Sequence, residues 1–276
     1  MATFAGAFAT SHAPLIARDW DRLPDPVRRR LTDAFDRTGA LLAAARADVI
    51  VEIAPDHWTN FFIDNLPSVC IGVGAEHEGP REPFMRDFPY KTLRGDPGFG
   101  THLLETALDG GFEPSVSHRL CLDHGFCIPL WKLAVDPLPA IVPLIINDLE
   151  PPMPTVARCA AWGTLLAEAI ASYPHDIRIA VLASGGLSHS IGEATMGAIE
   201  EDFDHACIAA FQRDDTAALV RFLESTLPHA GNGGHEVRNW VVAHAAAGGR
   251  GFSLLDYFPV PEVYVGCAWA AWQPAA

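Results

Sequence analysis

Basic residues are scarce in this chain. It has 19 lysines and arginines against 34 aspartates and glutamates, a formal net charge of −15. Such a chain lacks the basic face that a phosphate backbone requires, which argues against nucleic acid as a partner. A small anion stays open, because one or two local cations suffice to hold it. The cysteines, at positions 70, 121, 127, 159, 207 and 267, never form a CxxC pair. That leaves no thiolate metal motif and leads us to expect buried free thiols of a reducing compartment. No uninterrupted apolar run approaches the roughly 18 residues of a membrane span. The N-terminus has no basic stretch followed by a long apolar one, so no signal peptide is expected. A soluble cytoplasmic protein without a membrane partner is the expectation. Two catalytic motifs are also missing. HExxH fails after His235-Glu236, because Asn239 stands where the second histidine would be. GxSxG fails around Ser188, because Ser190 replaces the final glycine. A zincin and a serine hydrolase therefore lack support.

What the chain does have is ample apolar content, 49% of 276 residues, enough for a sizeable core without disulfides. Apolar runs alternate with amphipathic ones. Residues 3–10 and 49–54 read as buried strands, as do 140–146 and 177–183, with a short strand at 115–118 and a final one in 260–272. Residues 24–47, 98–110 and 155–172 read as helices, with a helix starting near residues 123–125, two or more in 193–226, and another near Glu236. Residues 58–75 are aromatic, then β-branched, and suggest a wall followed by a further strand. Residues 75–97, rich in proline, glycine and charge, read as a surface loop of the length that often forms a functional lid. The alternation predicts an α/β fold, a single layered domain over residues 1–276 whose central, mostly mixed sheet is flanked by helices. No repeat, low-complexity stretch or linker divides it.

Four of the twelve histidines share one context. His12, His57, His124 and His189 each sit at an element boundary beside small or turn residues. His12 and His57 follow apolar runs, so they belong at strand ends, where open α/β sheets place their sites. Glu236 opens a helix whose entry, Asn232-Gly233-Gly234, can approach a ligand closely. Two histidines and one carboxylate with open positions make up the facial triad of non-haem Fe(II) oxygenases. Neutral imidazoles and a single carboxylate hold the ion at low net charge. Further imidazoles would be free to move protons near neutral pH. Spacing alone does not select this chemistry over a solvated first-turn glutamate and structural histidines.

Five stretches in this order carry a resemblance: SHAPLI at 11–16, APDHWTNFF at 54–62, DHGFCIPL at 123–130, SGGLSHS at 184–190 and GGHEVRNW at 233–240. Together they resemble the class III extradiol ring-cleaving dioxygenases of the protocatechuate 4,5-dioxygenase β-subunit (LigB) type. The look is closest to the single-chain 2,3-dihydroxyphenylpropionate 1,2-dioxygenase branch. The resemblance implies ferrous iron, Fe(2+), held by His12, His57 and Glu236. It makes His124 and His189 the acid–base pair, with Asp123 orienting or tuning His124. His235 is expected to point away from the metal, because adjacent helix positions diverge by about 100°. The resemblance also implies O2 and a catechol-type vicinal diol, on an aromatic or heteroaromatic ring, as small-molecule partners, and a homo-oligomer is expected. The segment between His189 and Glu236 is shorter than in that branch, which bears on the substrate more than on the chemistry. Arg238, Arg119, Lys91 and Arg81 are the candidate cations for an acidic substituent. Zinc accepts the same donors, so a metal-dependent hydrolase or a non-catalytic metal-binding relative is the competing reading.

Overall fold

The computed structural model describes residues 1–272. Its strands are β1 (Thr3–Thr10), β2 (Val49–Ala54), β3 (Val69–Gly72), β4 (Glu76–Glu78), β5 (Thr92–Arg94), β6 (Ser115–Ser117), β7 (Ala140–Ile146), β8 (Arg178–Ser184), β9 (Phe252–Val260) and β10 (Val265–Trp272). Its helices are α1 (Leu15–Arg18), α2 (Asp25–Ala45), α3 (Pro97–Asp109), α4 (His124–Lys132), α5 (Val156–Ser172), α6 (Glu201–Phe211), α7 (Thr216–Thr226) and α8 (Val237–Ala246).

Eight strands form one mixed sheet in the order β6-β3-β7-β2-β8-β1-β10-β9. The central four, β7, β2, β8 and β1, run parallel, so their C-terminal ends line up along one edge. Both faces of these strands are buried, which explains why they read as continuous apolar runs rather than alternating ones. On one face Val51 and Ile53 pack with Phe99 and Leu103 of α3, Leu166 of α5 and Trp240 of α8. On the other, Phe8 and Ile50 pack with Leu31 and Phe35 of α2 and Phe126 of α4. Helices therefore cover the sheet on both sides, the expected α/β layering. All six cysteines are buried and free. No helix among the described residues is long and apolar enough to cross a membrane.

Two stretches differ from the pattern read in the sequence. The final strand expected over 260–272 is β10, and it is preceded by an unexpected antiparallel strand, β9, joined to it by a turn at Pro261–Val263. Tyr264 closes that turn at φ 65°. β9 escaped notice because it is an edge strand: its residues are mostly half-buried, and Pro259 is tolerated there. Residues 75–97 are more than a loop. They hold the β4–β5 hairpin, and Met85, Phe88 and Leu93 are buried. These apolar anchors tie the segment to the body of the protein beside the C-terminal ends of the central strands.

Candidate metal centre and cavity

Each strand of the parallel quartet delivers polar residues just past its C-terminal end. β1 leads to Ser11-His12, β2 to Asp56-His57, β7 to Asn147-Asp148, and β8 to the Ser184–Ser190 turn. The connection after β8 crosses Gly185 at φ 119°. A side chain there would lie 2.6 Å from Glu236 Oε2. Only glycine combines that backbone angle with that close approach. Glu236 ends a one-turn 3₁₀ segment, Gly233–Glu236, immediately before α8. Gly233 meets the His189 ring in the same way, its absent Cβ falling 2.0 Å from His189 Nε2.

The result is a convergence on one oxygen. Glu236 Oε1 lies 3.2 Å from His12 Nε2, 3.7 Å from His57 Nε2 and 3.8 Å from His189 Nε2. Glu236 Oε2 accepts from Gly186 N at 2.7 Å. Each imidazole is tethered through its other nitrogen. His12 Nδ1 bonds Ser184 Oγ at 2.8 Å. Ser184 spends its own proton on Gly125 O, so it accepts from His12. His189 Nδ1 donates to Leu187 O at 2.9 Å. His57 Nδ1 faces Asp123 Oδ2 at 3.3 Å, and His124 Nδ1 faces Glu82 Oε1 at 2.5 Å. An acceptor at every Nδ1 favours a proton there and leaves Nε2 of His12, His57 and His189 facing Glu236, where a metal ion would displace any Nε2 proton, the arrangement metal-binding histidines show.

Two of these tethers alter the roles expected from sequence. Asp123 does not turn to its neighbour His124. Its Oδ1 caps α4 at Gly125 N, and its Oδ2 accepts from His57 N at 2.6 Å as well as facing the His57 ring. An N-cap side chain folds back over its own helix start, so it points away from the ring of the first helical residue. The carboxylate on His124 is instead Glu82, from the 75–97 segment, which also accepts from His124 N at 2.7 Å. Nothing in the local sequence marked Glu82, which stands 42 positions from His124.

The electrostatics favour a cation. Burial lowers the pKa of His57, but Asp123 and then Glu236 outweigh it and hold the ring well above its ordinary value. Burial raises Glu236, yet His12 and His189 hold it well below the usual carboxylate range. Burial likewise works against Asp123, and the His57 charge overcomes it. The site thus keeps anionic carboxylates buried beside imidazoles, which is costly unless positive charge is present. Metal–ligand bonds of roughly 2.0–2.2 Å set neighbouring donors about 3–3.5 Å apart around one ion. The 3.2 Å from Glu236 Oε1 to His12 Nε2 falls in that range, and the 3.7 Å to His57 Nε2 lies about 0.2 Å beyond it. A second set is also near: ring nitrogens of His12, His57 and His124 all lie within 4.8 Å of one another. The donors present fit a metal ion.

The centre opens into a cavity of about 460 Å³. Pro14, Leu15, Leu149, Ile191, Met196 and Val263 give it apolar walls. None of the four cations expected to hold a substituent lines it. Arg81 and Arg119 pair with Glu78 on the surface, and Lys91 is exposed. Arg238 is buried against Pro154 O and His235 Nδ1. That last contact turns His235 away from the centre. The cation that does line the cavity is Arg18, one of seven arginines before residue 47 that carry no motif.

A family model described as the catalytic LigB subunit of aromatic ring-opening dioxygenase matches residues 6–266. The chain is 28% identical to a 2,3-dihydroxyphenylpropionate/2,3-dihydroxicinnamic acid 1,2-dioxygenase of Mycolicibacterium paratuberculosis, over 94% of this chain and 95% of the relative. It is 26% identical to the protein of the same name from Photorhabdus laumondii subsp. laumondii, over 96% of both. The first of these alignments spans 320 positions against 276 residues here, so that relative carries segments this chain lacks. The crystal structure of an uncharacterized protein from Escherichia coli K12 shares the fold, with a TM-score of 0.65 and 16% identity over 96% of this chain and 98% of the other.

Proposed function

The chain belongs to the LigB family of aromatic ring-opening dioxygenases, and from that premise we propose that it opens a catechol-type ring at a ferrous ion held by His12, His57 and Glu236. It is a ring-cleavage dioxygenase, acting on a small aromatic substrate with O2. The observation that carries the metal reading is Glu236 Oε1, which lies 3.2 Å and 3.7 Å from two lone-pair nitrogens of tethered imidazoles. Glu236 is preferred to His124 as the third donor because its buried carboxylate is then bonded directly to the charge that neutralises it. Ferrous iron in a two-histidine, one-carboxylate set supplies chelation of two vicinal ring oxygens and electron exchange between ring and dioxygen.

The remaining chemistry falls to the chain itself. His189 Nε2 carries a free lone pair, since Leu187 O holds the Nδ1 proton. It is placed to take a proton from a ring hydroxyl. The His124 ring lies beside His57, with centroids 4.0 Å apart. Burial and then the His57 charge lower the His124 pKa against the opposing bond from Glu82 at its Nδ1, so a proton carried there is held weakly and His124 serves as the acid that gives it to the departing oxygen. Asp123 acts on His57, holding its ring with Nε2 towards the centre. Pro14, Leu15 and Val263 keep the ring's surroundings dry, which strengthens each of these interactions.

We read residues 1–276 as one catalytic domain, because both cores sit on a single sheet. The expected homo-oligomer belongs to the same reading. The exposed Phe62 and Ile63, at 52% and 78%, are the surface we would look for at its contact, and light scattering tests it. The functional test is anaerobic loading with ferrous iron, then oxygen uptake and product absorbance across catechol, protocatechuate, gallate, homoprotocatechuate, dihydroxyphenylpropionate, aminophenol and dihydroxypyridine. Oxygen uptake with loss of ring absorbance supports the reading. Turnover of ester or amide substrates with zinc and none of these rings would replace it with the hydrolase.

A further inference from the structure

The turn that carries His189 passes through Gly185 at φ 119° and Gly186 at φ 66°, where the backbone is freest. The imidazole depends on that turn. Leu187 O holds its Nδ1 at 2.9 Å, and the absent Cβ of Gly233 lies 2.0 Å from its Nε2. A small shift of the turn therefore re-aims the ring. Ser11 and Glu236 hold the first half of the turn at Gly186. The second half, at Ser188, is gripped from outside the cavity by Asp204, in the first turn of α6.

Asp204 is fully buried. Its Oδ1 accepts from Ser188 N at 2.8 Å, and its Oδ2 accepts from Ser188 Oγ and Tyr257 Oη, both at 2.9 Å. Ser188 Oγ itself accepts from Glu200 N at 2.8 Å, which leaves its proton for Asp204. All three partners thus donate, and only an ionised carboxylate accepts at both oxygens. A proton on it would face hydroxyl protons already aimed there, so a bond would be lost. Gly266 makes room for the group: a Cβ there would lie 2.0 Å from Oδ2. The titratable groups that face Asp204 are His205 and Cys207 of its own helix, Tyr257 of β9 and Cys267 of β10, with Glu201 beside Tyr257. Burial keeps both thiols and the phenol protonated. Burial also raises Asp204, to about 6, against the bonds from Ser188 and Tyr257 and the charge of His205.

We propose that Asp204 is a positioning residue for His189: its ionised carboxylate, by accepting from Ser188 and Tyr257, fixes the turn with His189 Nε2 towards the substrate hydroxyl, and taking up a proton releases that turn. The kinetic test rests on the ring-opening reading above. Asp204 is ionised above about pH 6, so the turn is held at neutral pH and let go as pH falls through that value. His189 must also be unprotonated to act as a base, so two groups limit the acid side of the pH–rate profile. Wild-type kcat should therefore fall there by more than about tenfold per pH unit. Asp204→Asn keeps the size but accepts at one oxygen only. Its kcat should drop by about 10- to 100-fold with iron content held, and its acid side should relax to about tenfold per pH unit. Tyr257→Phe removes one donor to the carboxylate, so its acid side should move to higher pH. A second readout needs neither metal nor oxygen: the His189 ring-proton resonance of the metal-free protein, assigned by its loss in His189→Gln. It should show an inflection from Asp204 that moves to higher pH in Tyr257→Phe and vanishes in Asp204→Asn. Turnover per iron unchanged in Asp204→Asn with only a lower Tm, or a profile and resonance that stay in place in Tyr257→Phe, would each overturn the proposal. If Asp204→Asn does not fold, Tyr257→Phe decides alone. If no catechol is opened at all, the ring-opening reading fails, and the His189 resonance still decides Asp204.

Discussion

Replacing His124 with phenylalanine separates the two ligand sets that meet at this centre. The ring is buried, 7% exposed, and phenylalanine fills most of its volume, so no large cavity opens. The loss is the Nδ1 bond to Glu82, while the backbone N–H of residue 124 still serves Glu82 Oε2. A hydrogen bond to a charged group is worth about 1.5–3 kcal/mol. Glu82 is 19% exposed, so water partly replaces the ring and the cost falls to about 1–2 kcal/mol. For a chain of this size that lowers Tm by roughly 2–8 °C. With iron on His12, His57 and Glu236, the metal content stays near that of the wild type. With His124 as an acid, turnover per bound iron drops by about 10²–10⁴. Metal analysis, thermal denaturation and initial rates on the same preparations read all three. Iron lost in proportion to activity would assign His124 to the ligand set. Normal turnover per iron would remove its role as an acid.

Other consequences follow from groups around the centre. Glu52, in mid-strand, is fully buried with neither carboxylate oxygen hydrogen-bonded, and burial, then the Asp123 charge, raises its pKa well above the carboxylate range. Glu52→Leu should therefore raise stability by about 1–3 kcal/mol, seen as a higher denaturant midpoint; a lower one would mean that Glu52 has a hidden partner. Gly233→Ala pushes a Cβ into the His189 ring, so it should slow turnover while iron content holds; a normal rate would show that ring position to be unimportant. His77 and His244 are depressed to about 4 by burial. Unfolded histidine binds a proton below about 6.5, so stability is full above that pH and falls towards 4, by about 1.4 kcal/mol per pH unit for each. Asp204 is raised by burial to about 6, which has the opposite sign: its cost is absent below about 4 and grows as pH rises to 6, so it offsets one of the two histidines. Melting curves from pH 7 to 4 should show a net loss, steeper in Asp204→Asn; a flat profile in both would contradict these shifts.

Much of the fold was legible because its signals are local. The β-branched runs at 49–54, 140–146 and 177–183 are buried on both faces and could hardly be anything but central strands. The polar residues that stop them mark the C-terminal edge, so His12, His57 and His189 were readable as neighbours before any coordinates. β9 was missed because an edge strand needs neither continuous apolar character nor freedom from proline. The side-chain pairings were not legible, because they depend on where distant backbones cross. Asp123 serves His57, 66 positions away, and Glu82 serves His124 from a segment that reads as surface. Arg18 was passed over for a similar reason. Its position on the cavity wall comes from the turn of α1 after Pro14, and nothing in SHAPLIARD separates it from a solvated arginine.

The central claim, that a catechol-type ring is opened with O2 at this centre, is tested most directly by isotope. The ferrous-loaded protein is given its best catechol under ¹⁸O₂, and the product is analysed by mass spectrometry. The account predicts a ring-opened product carrying both atoms of one oxygen molecule. It also predicts that Glu236→Ala forms none and binds little iron. An intact ring, a quinone with oxygen reduced separately, or full iron and turnover in Glu236→Ala would contradict it.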